Sequence, residues 1–389
     1  MRITWVTRSF LDYRIPVFEA LDSFVGGNFY LIYSTKWTPV RTKNKVGSLL
    51  GYRAIVLEGE KNIGSVDTTG FANSAVGVAY QPGLYRAIAK TSPDVLIADG
   101  FFQWTVPAIA YRILKRIPLV VCYERNFHTE RNSQRYRTAY RKFVMRWIDA
   151  MCCNGKLCGE YVQSLGFPAA RITYGHMVAD TASLGNSIAK VTNKQISELK
   201  TKYYLKGTIF LYVGRLIPLK GLIELLNAWK EFGGSISADE ATLLLVGDGP
   251  QRQECESFCS QNSLQNICFA GAIDYDGLAP YYKAANVFII PTLEDNWSLV
   301  VPEAMACGLP ILCSKYNGCW PELVHPGENG WVFDPLDCKD VLQCLKACTG
   351  NRDRLPQMGE RSKVIVGDHT PLKAAESILR ACKIAMARR

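Results

Sequence analysis

Short apolar runs alternate with stretches whose apolar positions recur every three to four residues along almost the whole chain. In the first half, Ile3–Val6, Phe29–Tyr33, Ala54–Leu57, Val95–Ala98, Leu119–Cys122 and Ala150–Cys153 read as strands. Helical spacing fits Val17–Phe24, Leu84–Ala89, Val106–Leu114, a long basic stretch Arg131–Ile148, and Lys156–Leu165, which ends at Gly166. Residues 177–207 are poorer in apolar periodicity and rich in Ser, Thr, Asn and Lys, and the domain junction is placed there. The alternation then restarts. Strands are predicted at 209–213, 243–246, 267–270, 287–290, 311–314 and 330–333. Helices are predicted at 221–231, 251–261, 277–284, 301–307, 320–324, 337–348 and 371–387. Strand–helix alternation of this kind predicts an α/β chain of two doubly wound parallel sheets. The expected domains are 1–176 and 177–370, with a C-terminal helix in 371–389 packing back toward the first.

The length agrees, since 389 residues exceed what one core usually organises. A hydrophobic content of 48% and a charged content of 21% are ordinary for a globular chain. No run reaches the ~18 apolar residues of a spanning helix, and the N-terminus carries only a short apolar stretch. A cytoplasmic protein is expected. The fourteen cysteines sit in apolar runs or helical patterns rather than in paired C-x-x-C spacing, and there are only four histidines, so no metal centre is expected.

Charge changes the picture more. Residues 1–180 hold 23 Lys/Arg against 13 Asp/Glu, whereas residues 181–389 hold 22 of each. The whole net charge of +10 therefore lies in the first half, densest from Arg125 to Arg146. A solvated helix face is one reading. A surface for an anionic membrane or acceptor is the other, which would make the protein peripheral at the inner membrane face. No nucleic-acid partner is expected, because no zinc knuckle, KH or RRM signature accompanies the charge.

Candidate chemistry lies at predicted strand ends, where such sheets bind ligands. After strand 209–213 comes Gly214-Arg215-x4-Lys220-Gly221: a tight turn, a planar fork of donors and a point charge, all suited to phosphate oxygens. After strand 243–246 comes Gly247-Asp248-Gly249-Pro250. Strand 287–290 runs into Glu294, Asp295, Asn296, Trp297, Ser298 and Leu299, and Glu303 opens the next helix. A carboxylate there can accept both hydroxyls of a ribose diol.

In combination these pieces resemble the C-terminal domain of family-4 retaining glycosyltransferases, which have the GT-B fold. The likeness rests on Gly214, Arg215, Lys220, Gly221, Gly247 to Pro250, Gly271, Glu294 to Glu303, Glu303-Ala-Met-Ala-Cys-Gly308-Leu-Pro310, Glu322 and Gly330. It implies two Rossmann-like domains facing across a cleft, with a nucleotide diphosphate sugar as donor and no cofactor or metal. In that family's pattern Arg215 and Lys220 neutralise the diphosphate and Glu303 holds the ribose. Either Glu294 or Asp295, the latter one methylene shorter than the usual acid, contacts the transferred sugar. The implied reaction moves a hexose from UDP or GDP to a glycan acceptor, lipid-linked in the reading that the basic half suggests, within surface polysaccharide synthesis.

The N-terminal half matches more loosely. Thr7-Arg8-Ser9-Phe10-Leu11-Asp12-Tyr13 stands where the family has a Gly-Gly loop. Glu124, after strand 119–122, is the N-domain candidate for catalysis. Tyr13, Arg14, Asp99 and His128 are acceptor-side candidates. Two alternatives stay open at this level: a GT-B-fold nucleotide-sugar epimerase, and an inactive membrane-associated partner subunit.

Overall fold

The computed structural model describes residues 1–64, 71–73, 77–234 and 239–388. They form two compact units. The first holds most of the chain up to Ala179 together with the segment from His369, and the second runs Asp180–Asp368.

Nine strands are described in the first unit: β1 (Ile3–Thr7), β2 (Phe29–Ser34), β3 (Ala54–Leu57), β4 (Lys61–Gly64), β5 (Gly77–Tyr80), β6 (Val95–Asp99), β7 (Leu119–Tyr123), β8 (Ala150–Cys153) and β9 (Ile172–Tyr174). Seven form a sheet in the order β3-β2-β1-β6-β7-β8-β9, and β4 pairs with β5 separately. Every pairing in the large sheet is parallel. Strand order reverses beside β1, which makes the β1/β6 boundary the switch point where such sheets open a crevice. The last helix, Pro371–Met386, belongs to this unit. It presents Ala374, Ala375, Ile378, Ala381, Cys382 and Ala385 to a core that also contains Trp5, Phe18 and Phe29. This spacing is a single helical stripe, and its small residues let the helix lie close to helix Ile15–Phe24 and to β7, β8 and β9. Thr370 caps it by accepting from the Lys373 amide. Arg389, the end of the predicted segment, lies outside the described residues.

The second unit has β10 (Thr208–Val213), β11 (Ala241–Val246), β12 (Ile267–Gly271), β13 (Val287–Ile290), β14 (Ile311–Ser314) and β15 (Gly330–Phe333). Their order is β12-β11-β10-β13-β14-β15, again all parallel. Every residue of β10, β11, β13 and β14 is buried, as expected for strands covered on both faces. Helix Leu222–Gly233 seals one face with Leu222, Leu225, Leu226, Trp229 and Phe232. Trp229 meets Phe210 of β10 edge to face at 5.3 Å.

Several elements differ from the sequence reading. The junction at 177–207 contains helices Thr181–Ala189 and Asn193–Lys202, each held at its start by side-chain caps from Asp180 and Thr192. Their apolar stripes are thin, so capping carried the signal that periodicity lacked. The predicted Arg131–Ile148 helix is shorter, Arg135–Val144, followed by a 3-10 turn Met145–Trp147. Its basic residues are not all solvated. Arg141 is buried and donates to Glu130 at 2.7 Å, and Arg125 reaches the same carboxylate at 3.1 Å. Helices Val40–Leu50 and Leu355–Val366 and strands β4, β5 and β9 are additional to the predicted elements.

The strand ends of the second unit press backbone against backbone. Gly247 has φ +140°, and a Cβ there would lie 1.8 Å from the Gly214 carbonyl oxygen. Gly247→Ala is therefore expected to lower the Tm of the second unit by roughly 5 °C or more in calorimetry. Gly185→Ala, mid-helix with open space around it, should raise stability by about 0.5–1 kcal/mol. Equal Tm values for the two variants would show that the close approach is not rigid.

Candidate active site

The loops that leave β10, β11 and β12 are stitched to one another. The Gly214 amide donates to Val246 O (3.0 Å), Leu216 N to Asp248 O (3.0 Å), and Gly247 N to Gly271 O (2.8 Å). Gly214, Gly247 and Gly271 thus form a backbone floor at the carboxyl edge of the sheet. Asp248 is used locally: it accepts from the Gly249 amide at 2.7 Å and from Arg252 at 3.3 Å. Arg215 projects from this floor, exposed, and none of its side-chain hydrogen bonds or ion pairs falls among the described residues. Its backbone is pinned instead, because the buried Tyr212 hydroxyl donates to Arg215 O at 2.8 Å.

The turn Pro218–Lys220 crosses from β10 to the loop after β13. Leu293 N and Thr292 Oγ1 both donate to Leu219 O, at 2.9 and 3.0 Å. Gly221 has φ +66°, and a Cβ there would fall 2.1 Å from Pro291 O. This docking delivers Lys220 to Asp295, Nζ to Oδ2 at 2.5 Å. Asp295 also accepts from Ser298 Oγ (2.5 Å) and the Trp297 amide (3.0 Å). Burial works to raise the Asp295 carboxyl, but Lys220 and these donors hold it below the usual carboxylate range. The pair spans the β10/β13 boundary, which is this sheet's switch point.

The neighbouring positions pack beneath. Glu294, Trp297 and Ser298 are buried, and Asn296 and Leu299 are half-buried. Asn296 Oδ1 is buried without a hydrogen-bond partner among the described residues. Asn317, fully buried after β14, accepts from the Ser298 and Cys319 amides and pairs with Asp295 as an isolated bridge. Its role as the anchor of this loop is tertiary, set by contacts with Ser298 and Asp295.

Glu303 lies in helix Val300–Ala306 and is only 8% exposed. Among the described residues the Tyr282 hydroxyl donates to its Oε2 at 3.1 Å. Burial pushes its carboxyl up to about 7, and only Tyr282 opposes the rise. Among the described residues no Lys or Arg pairs with it. A buried carboxylate with one donor has acceptor capacity to spare, as a ribose diol would require. Tyr282 was missed, since nothing in a short helix at 279–284 marks one tyrosine from another.

In the first unit the structure gathers most of the acceptor-side candidates at the β1/β6 switch point. Arg14 is buried and pairs with Asp99 at 3.0 Å, while Trp5 Nε1 donates to the other Asp99 oxygen at 3.1 Å. Tyr13 lies within electrostatic reach of Arg14, Glu124 and Asp99. Glu124 is half-buried after β7 and acts on Arg14, Tyr13 and Arg125 alike. His128 lies in the turn after β7, where its carbonyl accepts from Arg131. A histidine given no role by its sequence context joins the group. His176 is 2% exposed and donates from Nε2 to Tyr123 O at 3.0 Å. Burial, followed by the charge of Arg14, holds it down at about 4, so it is neutral at pH 7. Where the family's Gly-Gly loop would stand, Arg8 is clamped instead. Glu60 accepts from Arg8, Trp37 and Trp104 at 2.8, 2.6 and 2.8 Å.

Among the described residues no group of three or more His, Cys, Asp or Glu side chains is arranged to hold a metal ion. All fourteen cysteines are free thiols, and only Cys338 is exposed.

Two doubly wound parallel units of seven and six strands define a two-domain α/β protein of the GT-B class. Residues 207–351 match the family described as glycosyl transferases group 1, and residues 51–182 match glycosyltransferase family 4. The two matches together cover more than half of the chain, which belongs to the family-4 glycosyltransferases. Among curated relatives, the sulfoquinovosyl transferase SQD2 of Arabidopsis thaliana is 22% identical over 300 residues, 74% of this chain and 56% of its own length. The lipopolysaccharide 1,2-N-acetylglucosaminetransferase of Salmonella typhimurium is 28% identical over 170 residues, 41% of this chain and 44% of its own. The matched stretches thus span about half of these relatives. Among solved structures, Anabaena Alr3699/HepE in complex with UDP aligns with a TM-score of 0.75 at 16% identity, covering 98% of this chain and 100% of its own.

Glu303 makes a pH prediction. Its carboxyl holds a proton to about pH 7 in the folded chain and to about 4.5 when unfolded. Between those values the native state binds the extra proton, so this group's contribution to stability falls as pH rises and is lowest above 7. The difference amounts to roughly 3 kcal/mol. Glu303→Gln should therefore raise Tm at pH 8 while leaving it nearly unchanged at pH 4.5. The same Tm increment at both pH values would contradict the assignment.

Proposed function

We propose that this protein is a retaining, metal-independent hexosyltransferase that takes its sugar from a nucleotide diphosphate. The observation that carries this reading is the arrangement along the second unit's strand-end edge. Two cations follow β10, one exposed and one held by Asp295, while the Glu303 carboxylate after β13 is buried and, among the described residues, is paired with no cation. Arg215 and Lys220 fit the diphosphate, and Glu303 fits the ribose diol. Gly214, Gly247 and Gly271 allow close backbone approach. Asp295 orients Lys220, and Glu294, Asn296, Trp297, Ser298 and Leu299 shape the side where the sugar would lie.

In the reaction the acceptor hydroxyl approaches the anomeric carbon on the face of the departing phosphate. The bond from that carbon to the phosphate oxygen breaks as the new glycosidic bond forms. The hydroxyl proton passes to the leaving phosphate, so configuration is retained and no external base is needed. Charge grows on the phosphate, and preorganised cations beside it lower the barrier. Lys220 is preorganised in this sense, because its partner already fixes the ammonium in place. Glu124, Tyr13, Arg14, Asp99 and His128 remain the first-unit candidates for the acceptor, and the neutral His176 is added to them.

The acceptor proposed is a glycan, lipid-linked, in O-antigen, capsule or exopolysaccharide synthesis. The excess of positive charge in residues 1–180 supports this, as does the likeness to the Salmonella lipopolysaccharide 1,2-N-acetylglucosaminetransferase. The protein would then work at the cytoplasmic face of a membrane. Among the described residues no helix is long and apolar enough to cross one.

UDP is the donor nucleotide to test first, given the complex of the Anabaena protein. Without metal, UDP at a hundredfold excess over Kd should stabilise the folded protein by ~2.7 kcal/mol, read as a Tm rise. Arg215→Ala and Glu303→Ala should each remove most of that rise. Failure of UDP, GDP, ADP, dTDP and CMP species alike to shift Tm would overturn the donor reading. Turnover of a nucleotide sugar without any acceptor would favour the epimerase.

A further inference from the structure

The helix Arg135–Val144 and the turn Met145–Trp147 after it present an unusual outer face. Its exposed positions are Arg135, Tyr136, Ala139, Lys142, Phe143 and Arg146, the spacing of one helical stripe. Three are cations, and the rings of Tyr136 and Phe143 are 56% and 51% exposed. From Arg131 to Ile148 there is no acidic residue. The acid that precedes the stretch, Glu130, is turned inward and neutralised by Arg141 and Arg125, and the one that follows, Asp149, is buried against Arg112. The outer cations are thus left without local counter-charge on their own element.

The neighbouring helix extends the pattern. Thr105–Lys115 packs against the Met145–Trp147 turn, and Arg112 near its end donates to Asp149 at 3.0 Å. That end exposes Ile113 (44%) and Leu114 (69%) beside Lys115 and Arg116. The guanidinium of Arg146 lies over both Phe143 and Trp147, at 4.5 and 5.5 Å. A merely solvated face would mix charge signs and keep large apolar groups inside. This one interleaves cations with exposed aromatic and aliphatic side chains.

We propose that this face, built from Arg135, Lys142, Phe143 and Arg146 with Ile113 and Leu114 beside them, is a docking surface for a bilayer rich in anionic lipid. Cations alone would suit any polyanion. The exposed Phe143, Ile113 and Leu114 select a bilayer, because they gain by leaving water for the acyl boundary while the cations stay with the headgroups. The face locates the membrane contact that the proposed function only implies, and it does not involve the donor residues.

The test is co-sedimentation of the full chain with vesicles of phosphatidylcholine containing 30% phosphatidylglycerol, and with vesicles of phosphatidylcholine alone. Wild type should bind the first and not the second, less strongly as salt rises. The triple variant Arg135→Gln/Lys142→Gln/Arg146→Gln should lose at least tenfold in partition. Phe143→Ser should lose several-fold, including at high salt. Unchanged Tm and an unchanged UDP shift keep folding and donor binding separate: loss of the UDP shift in wild type with vesicle binding intact would sink the donor reading and leave this one standing. Equal binding of triple variant and wild type to anionic vesicles would overturn the proposal. So would absence of wild-type binding, or a Phe143→Ser variant that binds vesicles as wild type does while the triple variant loses a polyanionic RNA equally.

Discussion

The second unit depends on how closely its strand-end loops approach one another. Gly247 lies against the Gly214 carbonyl, and Gly221 lies against the Pro291 carbonyl, at separations that leave no room for a Cβ. These contacts bring the segment after β10 to the segments after β11 and β13. Without them Arg215 and Lys220 would be ordinary cations near a helix start. With them, Lys220 reaches Asp295 and the two sides of the switch point are tied together.

The same edge shows a division between groups that are satisfied and groups that are not. Asp295 has a cation, a hydroxyl and an amide, and its charge is stable. Glu303, a few residues on, has one phenol and a high proton affinity. Two carboxylates in one loop-helix segment are thus pushed in opposite directions by their surroundings. The first positions a neighbour. The second is costly to keep ionised, because burial raises its carboxyl and one phenol opposes the rise.

The first unit uses its charges differently. The Arg14–Asp99 pair closes the β1/β6 switch point, and Glu60 draws Arg8, Trp37 and Trp104 together where the family has glycines. Glu130 internalises part of a stretch that reads as uniformly basic. What stays outside on that stretch is therefore a narrower and more apolar face than the raw count of Lys and Arg suggests.

Strand positions were legible in the sequence because parallel strands covered on both faces are continuous apolar runs, and these ended where the structure ends them, at Val213, Val246 and Ile290. The glycine and charge motifs at those ends were legible for the same reason: they interrupt the runs. The helices at 181–202 were not, since short capped helices with thin apolar stripes leave little period to detect. Nor could spacing along the chain tell Glu294 from Asp295, for both lie in one loop and only the arrival of Lys220 from 75 residues away distinguishes them. Tyr282, Asn317 and His176 acquire their places through burial against distant elements. The sequence by itself determined the two-unit α/β pattern and the chemical types at each strand end, because these follow from local periodicity. Which carboxylate is paired, which is left proton-hungry and which arginines face water was decided only by tertiary structure, because desolvation and charge pairing depend on neighbours that the chain brings together by folding.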